Sequence, residues 1–221
     1  QIFKLTLLAV SFLYTSCNSS AQQTVNFAAK IDTLLKVKNP RAFNGVVFIQ
    51  QNGKMKYAKT FGFSDFNKKK SLRIDDKFSS MSIAKQITAT LILQEVEKGI
   101  IDLNTPIRNY LPNFKFSWAD TVTIHHLLNH TGGLHSDDLK PTLKFKTGST
   151  FSYSNIGYSV LGQILETQTG KNFETLVTAL FKKCKMKNSY FPNETNSKFL
   201  TKGHTIKEDG TFKLNDKICF L

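Results

Sequence analysis

Apolar residues return at two different periods along this chain, and the switches between the periods mark its elements. Val25, Ala28, Ile31, Leu34 and Leu35 recur every three or four positions up to Pro40, which predicts an amphipathic first helix with one face against a sheet. Two strand-like segments, 45–50 and 55–60, then flank Asn52-Gly53, the dipeptide that most favours a tight hairpin turn. Gly62-Phe63-Ser64-Asp65 leads the chain away, and Lys68-Lys69-Lys70 reads as an exposed loop. A second helix carries Ile83, Ile87, Leu91 and Val96 and stops at Gly99, a natural residue just past a helix end. Few of its positions are polar, so it is expected to be buried on most sides.

Thr105-Pro106 and Leu111-Pro112 punctuate the next connection. Thr123 is placed to cap a brief helix through Leu127, Leu128 and Asn129, which His130-Thr131-Gly132-Gly133-Leu134 ends. Another helix opens after Phe151-Ser152-Tyr153-Ser154-Asn155, with Val160, Leu161, Ile164 and Leu165 as its stripe and Gly170 at its end; a further one covers 173–182. From Asn193 the chain is polar until Ile218-Cys219-Phe220-Leu221. A hairpin followed by runs of helix places the chain in the α+β class.

Length and charge narrow the partners. With 221 residues the chain can bury one large or two small cores, and no low-complexity tract or fixed repeat interrupts it. The net charge of +14 raises nucleic acid or an anionic surface as partners. Yet the lysines are spread throughout and do not interleave with aromatic residues, so the pattern reads as a solvated surface with no nucleic-acid partner. Residues 1–17 hold one cation, a short apolar run and small residues before Cys17, which reads as an export signal and a location in the bacterial cell envelope. Leu13-Tyr14-Thr15-Ser16-Cys17 resembles a lipobox, making Cys17 the expected lipidation site and membrane anchor, although Tyr14 stands where leucine or valine is usual; cleavage near Ala21 is the alternative. Residues 18–23 then form a tether and 24–221 a domain, divided into 24–75 (first helix and hairpin), 76–195 (helical part) and 196–221 (tail). Three cysteines make no disulfide framework, and Cys184 and Cys219 can pair only if the fold brings them together.

Candidate chemistry centres on Ser82-Ile83-Ala84-Lys85. Positions three apart share a helix face, and a serine hydroxyl becomes a nucleophile when a base lies beside it, a role that a lysine in an apolar setting can fill. The helix N-terminus beneath Ser82 would favour a developing oxyanion. A capping serine with an exposed lysine one turn on is the competing reading. Four histidines fall between 125 and 135, and His126 and His130 have a zinc-compatible spacing. The H-E-x-x-H pattern is absent, so His130 is read as holding the turn, and neither a metal nor a cofactor is expected.

In their order and spacing Ser82-Ile-Ala-Lys85, His130-Thr-Gly-Gly-Leu134 and Tyr153-Ser-Asn155 resemble the serine beta-lactamase and D-alanyl-D-alanine peptidase family, in its class C and esterase-like branch, over residues 25–195. The resemblance implies a beta-lactamase/transpeptidase-like fold with a helical subdomain packed on an antiparallel sheet, incomplete here. It implies that Ser82 is acylated, that Lys85 shares its proton, that Tyr153 relays a proton to the leaving group and that Asn155 holds Lys85 and contacts the substrate. A packed Tyr153 with Asn155 as helix cap is the alternative. Lys146-Thr147-Gly148 spells the family's K-T-G but lies five residues before Tyr153, too early for that motif, which belongs well after it. Gly203-His204-Thr205-Ile206 is its nearest echo. A chain truncated at both ends, with open strand edges and little turnover of its own, is therefore expected. The implied function is a serine hydrolase forming an acyl-enzyme on a beta-lactam, a D-Ala-D-Ala peptide of peptidoglycan or a small ester. A non-catalytic envelope lipoprotein that binds peptidoglycan or a protein partner is the alternative.

Overall fold

The computed structural model describes residues 27–37, 42–207 and 209–215. The predicted export signal, Cys17, the tether, Val25, Pro40 and Cys219 lie outside the described residues. The chain forms two compact units that part after Phe63.

In the first unit, α1 (Phe27–Leu35) precedes β1 (Gly45–Gln51) and β2 (Lys54–Phe61). The strands pair antiparallel from Gly45 opposite Phe61 to Gln51 opposite Lys54, with a register shift between Ile49 and Gln50. Asn52 and Gly53 both take positive φ, 50° and 72°, as a type I′ turn demands. Within this unit α1 buries no residue, so the expected apolar contact is not its fastening. A polar tie takes its place: Asp32 accepts from Tyr57 Oη at 2.6 Å and pairs with Lys59 Nζ at 2.6 Å. Among the described residues β1 and β2 have only each other as strand partners, which leaves both outer edges open.

β3 (Phe63–Asp65) and β4 (Lys70–Ser71) form a second two-stranded sheet, so Lys70 begins a strand rather than ending a loop. The helices of the second unit are α2 (Ala84–Glu97), α3 (Ile107–Tyr110), α4 (Ile124–Leu128), α5 (Asn155–Thr169) and α6 (Phe173–Lys183). α5 is central, touching α2, α3, α4 and α6. Its stripe of Tyr158, Val160, Leu161, Ile164 and Leu165 is buried, as the period predicts. Ile92, Ile107, Val122 and Ile124 join it in one core, each fully buried. Burial of an aliphatic side chain of this size contributes about 1.5–3 kcal/mol, so this cluster stabilises the unit and everything mounted on it.

α2 is less enclosed than its apolar composition suggests. Lys85, Thr88, Leu91, Ile92 and Glu95 face inward, while Ile83 just before it and Leu93 point outward, 65% and 50% exposed. The buried Glu95 carboxylate is paired with Lys98 Nζ at 2.7 Å. The tail is also more ordered than its polarity implies: β5 (Gly203–Ile206) and β6 (Phe212–Asn215) pair antiparallel. Asp209-Gly210 supplies the turn, and Phe212 stacks on Phe66 with ring centroids 3.9 Å apart. The Gly203-His204-Thr205-Ile206 echo is thus strand β5.

Candidate active site

Three segments of the second unit build the site. The first is a 3-10 turn, Met81–Ile83, that precedes α2, so Ser82 stands one turn ahead of the helix rather than within it. Met81 takes φ 46°, a conformation costly for a residue with a side chain. Ser82 is solvent-exposed, and neither Ser80 nor Ile83 caps the turn or the helix with its side chain. The Ser82 hydroxyl instead meets Tyr153, whose Oη donates to Ser82 Oγ at 2.6 Å.

The second segment is the turn after α4. Thr123 caps α4 by accepting from the His126 N–H, and His126 Nδ1 accepts in return from the Thr123 N–H at 3.2 Å. His130 adopts φ 62° and ends the helix. Its Nδ1 accepts from Ser154 N–H at 3.2 Å and its carbonyl from Ser152 N–H at 2.9 Å. Burial, and then the charge of Lys85, holds the His130 imidazole below its ordinary range, which keeps Nδ1 free to accept. The ring also packs on Tyr153 at 4.6 Å and Tyr158 at 5.1 Å. The two histidines with zinc-compatible spacing thus serve separate local turns, and no group of three or more His, Cys, Asp or Glu side chains among the described residues is arranged to hold a metal.

The third segment leads into α5. Ser154, not Asn155, caps this helix: its Oγ accepts from Gly157 N–H at 3.0 Å and donates to the His135 carbonyl at 2.8 Å. Asn155 is left free to turn toward α2, where its Oδ1 accepts from Lys85 Nζ at 2.8 Å. Lys85 is only 6% exposed, with its ammonium 4.9 Å from the Tyr153 ring centre and 5.6 Å from that of Tyr158. Hydrogen bonding to Lys85, then to Ser82, holds the Tyr153 phenol below its ordinary range. Burial, then the neighbouring Tyr153, pushes Tyr158 up, and its hydroxyl is occupied by the Leu128 carbonyl at 2.9 Å. The two phenols are therefore driven apart, leaving Tyr153 as the one suited to moving a proton.

The structure brings Ser82, Lys85, Tyr153 and Asn155 together, and a chain of contacts runs through them. Sequence reasoning missed one member of the group: Asp137 Oδ1 accepts from Asn155 Nδ2 at 2.6 Å. Its partner is 18 positions away in sequence, so no periodic signal could have found it. Lys146-Thr147-Gly148 forms a separate turn, with Gly148 at φ 80° and its N–H on the Thr131 carbonyl at 2.8 Å. A cleft of about 680 Å³ opens beside the 78–81 segment, walled by Phe78, Met81, Ile83, Phe173, Phe181 and Tyr190 among others, but Ser82, Lys85 and Tyr153 do not line it. The converging polar groups, not this cleft, mark the candidate site.

Comparison with known proteins gives this arrangement a context. A penicillin-binding protein of Bacillus subtilis (strain 168) is 29% identical over 164 residues, covering 63% of this chain and 36% of that protein. Esterase EstB of Burkholderia gladioli is 29% identical over 192 residues, covering 70% and 49%. The crystal structure of D-alanine carboxypeptidase AmpC from Burkholderia cenocepacia superposes with a TM-score of 0.70 at 25% identity, covering 85% of this chain and 55% of that one. The chain thus spans between a third and a half of the length of these two sequence relatives. The shared architecture is the beta-lactamase/transpeptidase-like fold, with small two-stranded sheets among the described residues. Because the family model described as Beta-lactamase matches residues 27–216, a range that contains all three segments of the site, this chain belongs to the beta-lactamase family.

Proposed function

We propose that this chain carries the nucleophile side of a serine hydrolase that works through an acyl-enzyme on Ser82. The observation that carries the reading is the 2.6 Å contact of Tyr153 Oη with Ser82 Oγ, backed by the Lys85 ammonium under the phenol ring. With its proton lost to solvent, Tyr153 stands as a phenolate stabilised by the Lys85 ammonium, and this phenolate accepts the proton of Ser82 Oγ. The freed alkoxide adds to a substrate carbonyl. Collapse of the tetrahedral adduct then breaks the bond to the leaving nitrogen or oxygen, which takes the proton back from Tyr153. Water hydrolyses the resulting ester by the same steps in reverse roles. Asn155 keeps Lys85 in place and, at the first turn of α5, faces the substrate's amide.

A carbonyl carried by a beta-lactam, a D-Ala-D-Ala peptide or a small ester fits this chemistry. Relatives named penicillin-binding protein, esterase and D-alanine carboxypeptidase support that range. The cell envelope, reached through the apolar leader and an acylated Cys17, is the setting such substrates suggest. The chain should be exposed to a fluorescent fluorophosphonate and to a fluorescent penicillin, and the adduct mapped by mass spectrometry. Label on the 78–89 peptide is expected; label that persists in Ser82→Ala ends the proposal.

A further inference from the structure

We propose that Asp137 is a positioning residue of the Ser82 site, holding the Nδ2 end of Asn155 so that the Oδ1 end stays on Lys85. This rests on the reading of Ser82 as nucleophile and adds a residue to it.

An asparagine amide has a donor end and an acceptor end of nearly equal size, and its partners decide which way it lies. Asn155 is gripped at both ends by charged groups, Asp137 at 2.6 Å and Lys85 at 2.8 Å. Turned over, the amide would set NH₂ against an ammonium and C=O against a carboxylate, two like-polarity contacts. Without Asp137 the NH₂ end would have only water, and the partly exposed side chain would be free to swing off Lys85.

The carboxylate is held in place by its own backbone. Ser136 C=O accepts from both Asn155 N–H at 2.8 Å and Ile156 N–H at 3.0 Å, and His135 C=O accepts from Ser154 Oγ. The 135–137 loop is therefore bolted to the first turn of α5. The hydrogen bond from Asn155, then that from Ser136, holds Asp137 below the usual carboxylate range, so it is ionised at neutral pH. The resulting line reads Asp137, Asn155, Lys85, Tyr153, Ser82, with the anion at the end remote from the nucleophile.

The competing role is an acid at the α5 N-terminus that stabilises the helix alone. Fluorophosphonate labelling rate, thermal midpoint and the ¹⁵N–¹H signals of the Asn155 side-chain amide separate the two in Asp137→Ala, Asp137→Asn and Asp137→Glu. Positioning predicts labelling slowed roughly tenfold or more in Asp137→Ala, since small misplacements at reacting centres cost that much. It also predicts an upfield shift of the Asn155 amide protons there. Asp137→Asn, which keeps an acceptor oxygen, and Asp137→Glu, which keeps the charge, should each recover most of the rate. Wild-type labelling speed in Asp137→Ala with unmoved Asn155 signals overturns the inference and leaves the Ser82 reading intact. So does a rate loss that tracks the thermal midpoint equally in the alanine and asparagine variants. A wild-type chain that takes no label at Ser82 overturns the nucleophile reading and this inference together.

Discussion

Replacing Tyr153 by phenylalanine removes one oxygen and leaves nearly everything else, which makes it the sharpest separation of chemistry from folding in this molecule. The ring keeps its packing on His130 at 4.6 Å and its place over Lys85 at 4.9 Å. What goes is the hydroxyl that meets Ser82 at 2.6 Å. Tyr153 is 39% exposed, so water partly replaces that bond and the stability loss should stay under about 1 kcal/mol. A positioned acid–base group, by contrast, contributes roughly 10²–10⁴-fold to rate, or about 3–5.5 kcal/mol of barrier. Phosphonylation is a suitable assay because it isolates activation: Ser82 Oγ displaces fluoride from phosphorus, and its proton must leave through the Tyr153–Lys85 pair. Tyr153→Phe should therefore label at least a hundredfold more slowly while melting within a few degrees of the wild type. The rise of the wild-type rate with pH that the phenol contributes, below its ordinary value near 10, should also vanish. A variant that labels within threefold of the wild type at neutral pH would show that Tyr153 does not handle the proton.

Other consequences can be measured on the same material. Leu161→Ala in the centre of α5, at a fully buried position, should cost about 2–5 kcal/mol in urea denaturation, and a cost under 1 kcal/mol would contradict the described core. Gly133→Ala and Gly170→Ala both place alanine at positive φ, 78° and 66°, but the new Cβ would lie 2.5 Å from Phe145 O in the first and meet nothing within 4 Å in the second. The second should lose about 1 kcal/mol and the first at least twice that, read by the same denaturation. His126 and His130 have folded pKa values lowered by burial, so the unfolded chain binds protons first; stability should be full above about 6.5 and fall as pH drops below it. Thermal midpoints between pH 8 and 5 test the sign, and His130→Gln should flatten part of the decline.

The elements with a clean period were legible in the sequence. The Asn52-Gly53 hairpin, the stripe of α5 and the range of α6 appear where the sequence placed them. α2 misled because apolar composition is not burial: Ile83 and Leu93 face out, and Ile83 lines a cleft. The β5–β6 hairpin is masked in the sequence by the polar character of the tail, although Asp209-Gly210 is itself a hairpin dipeptide. At the site, residue types and spacing pointed to Ser82 and Lys85, and the family resemblance added Tyr153 and Asn155; the four side chains converge. The geometry that joins them was not legible, since Ser154's capping and Asp137's grip on Asn155 depend on a loop folded back from 135–137.

Ser154 is extended, with φ −137° and ψ 119°, and an extended residue sends its neighbours' side chains to the side opposite its own. Tyr153 and Asn155 thus reach toward Ser82 and Lys85 while Ser154 is sunk in the interior as the helix cap. Anchor and working groups alternate like teeth on one short blade. Adding or removing a single residue here would swap their sides, presenting the cap to solvent and driving the phenol inward, whereas the same change in the exposed Lys68–Lys69 turn would only reshape a surface.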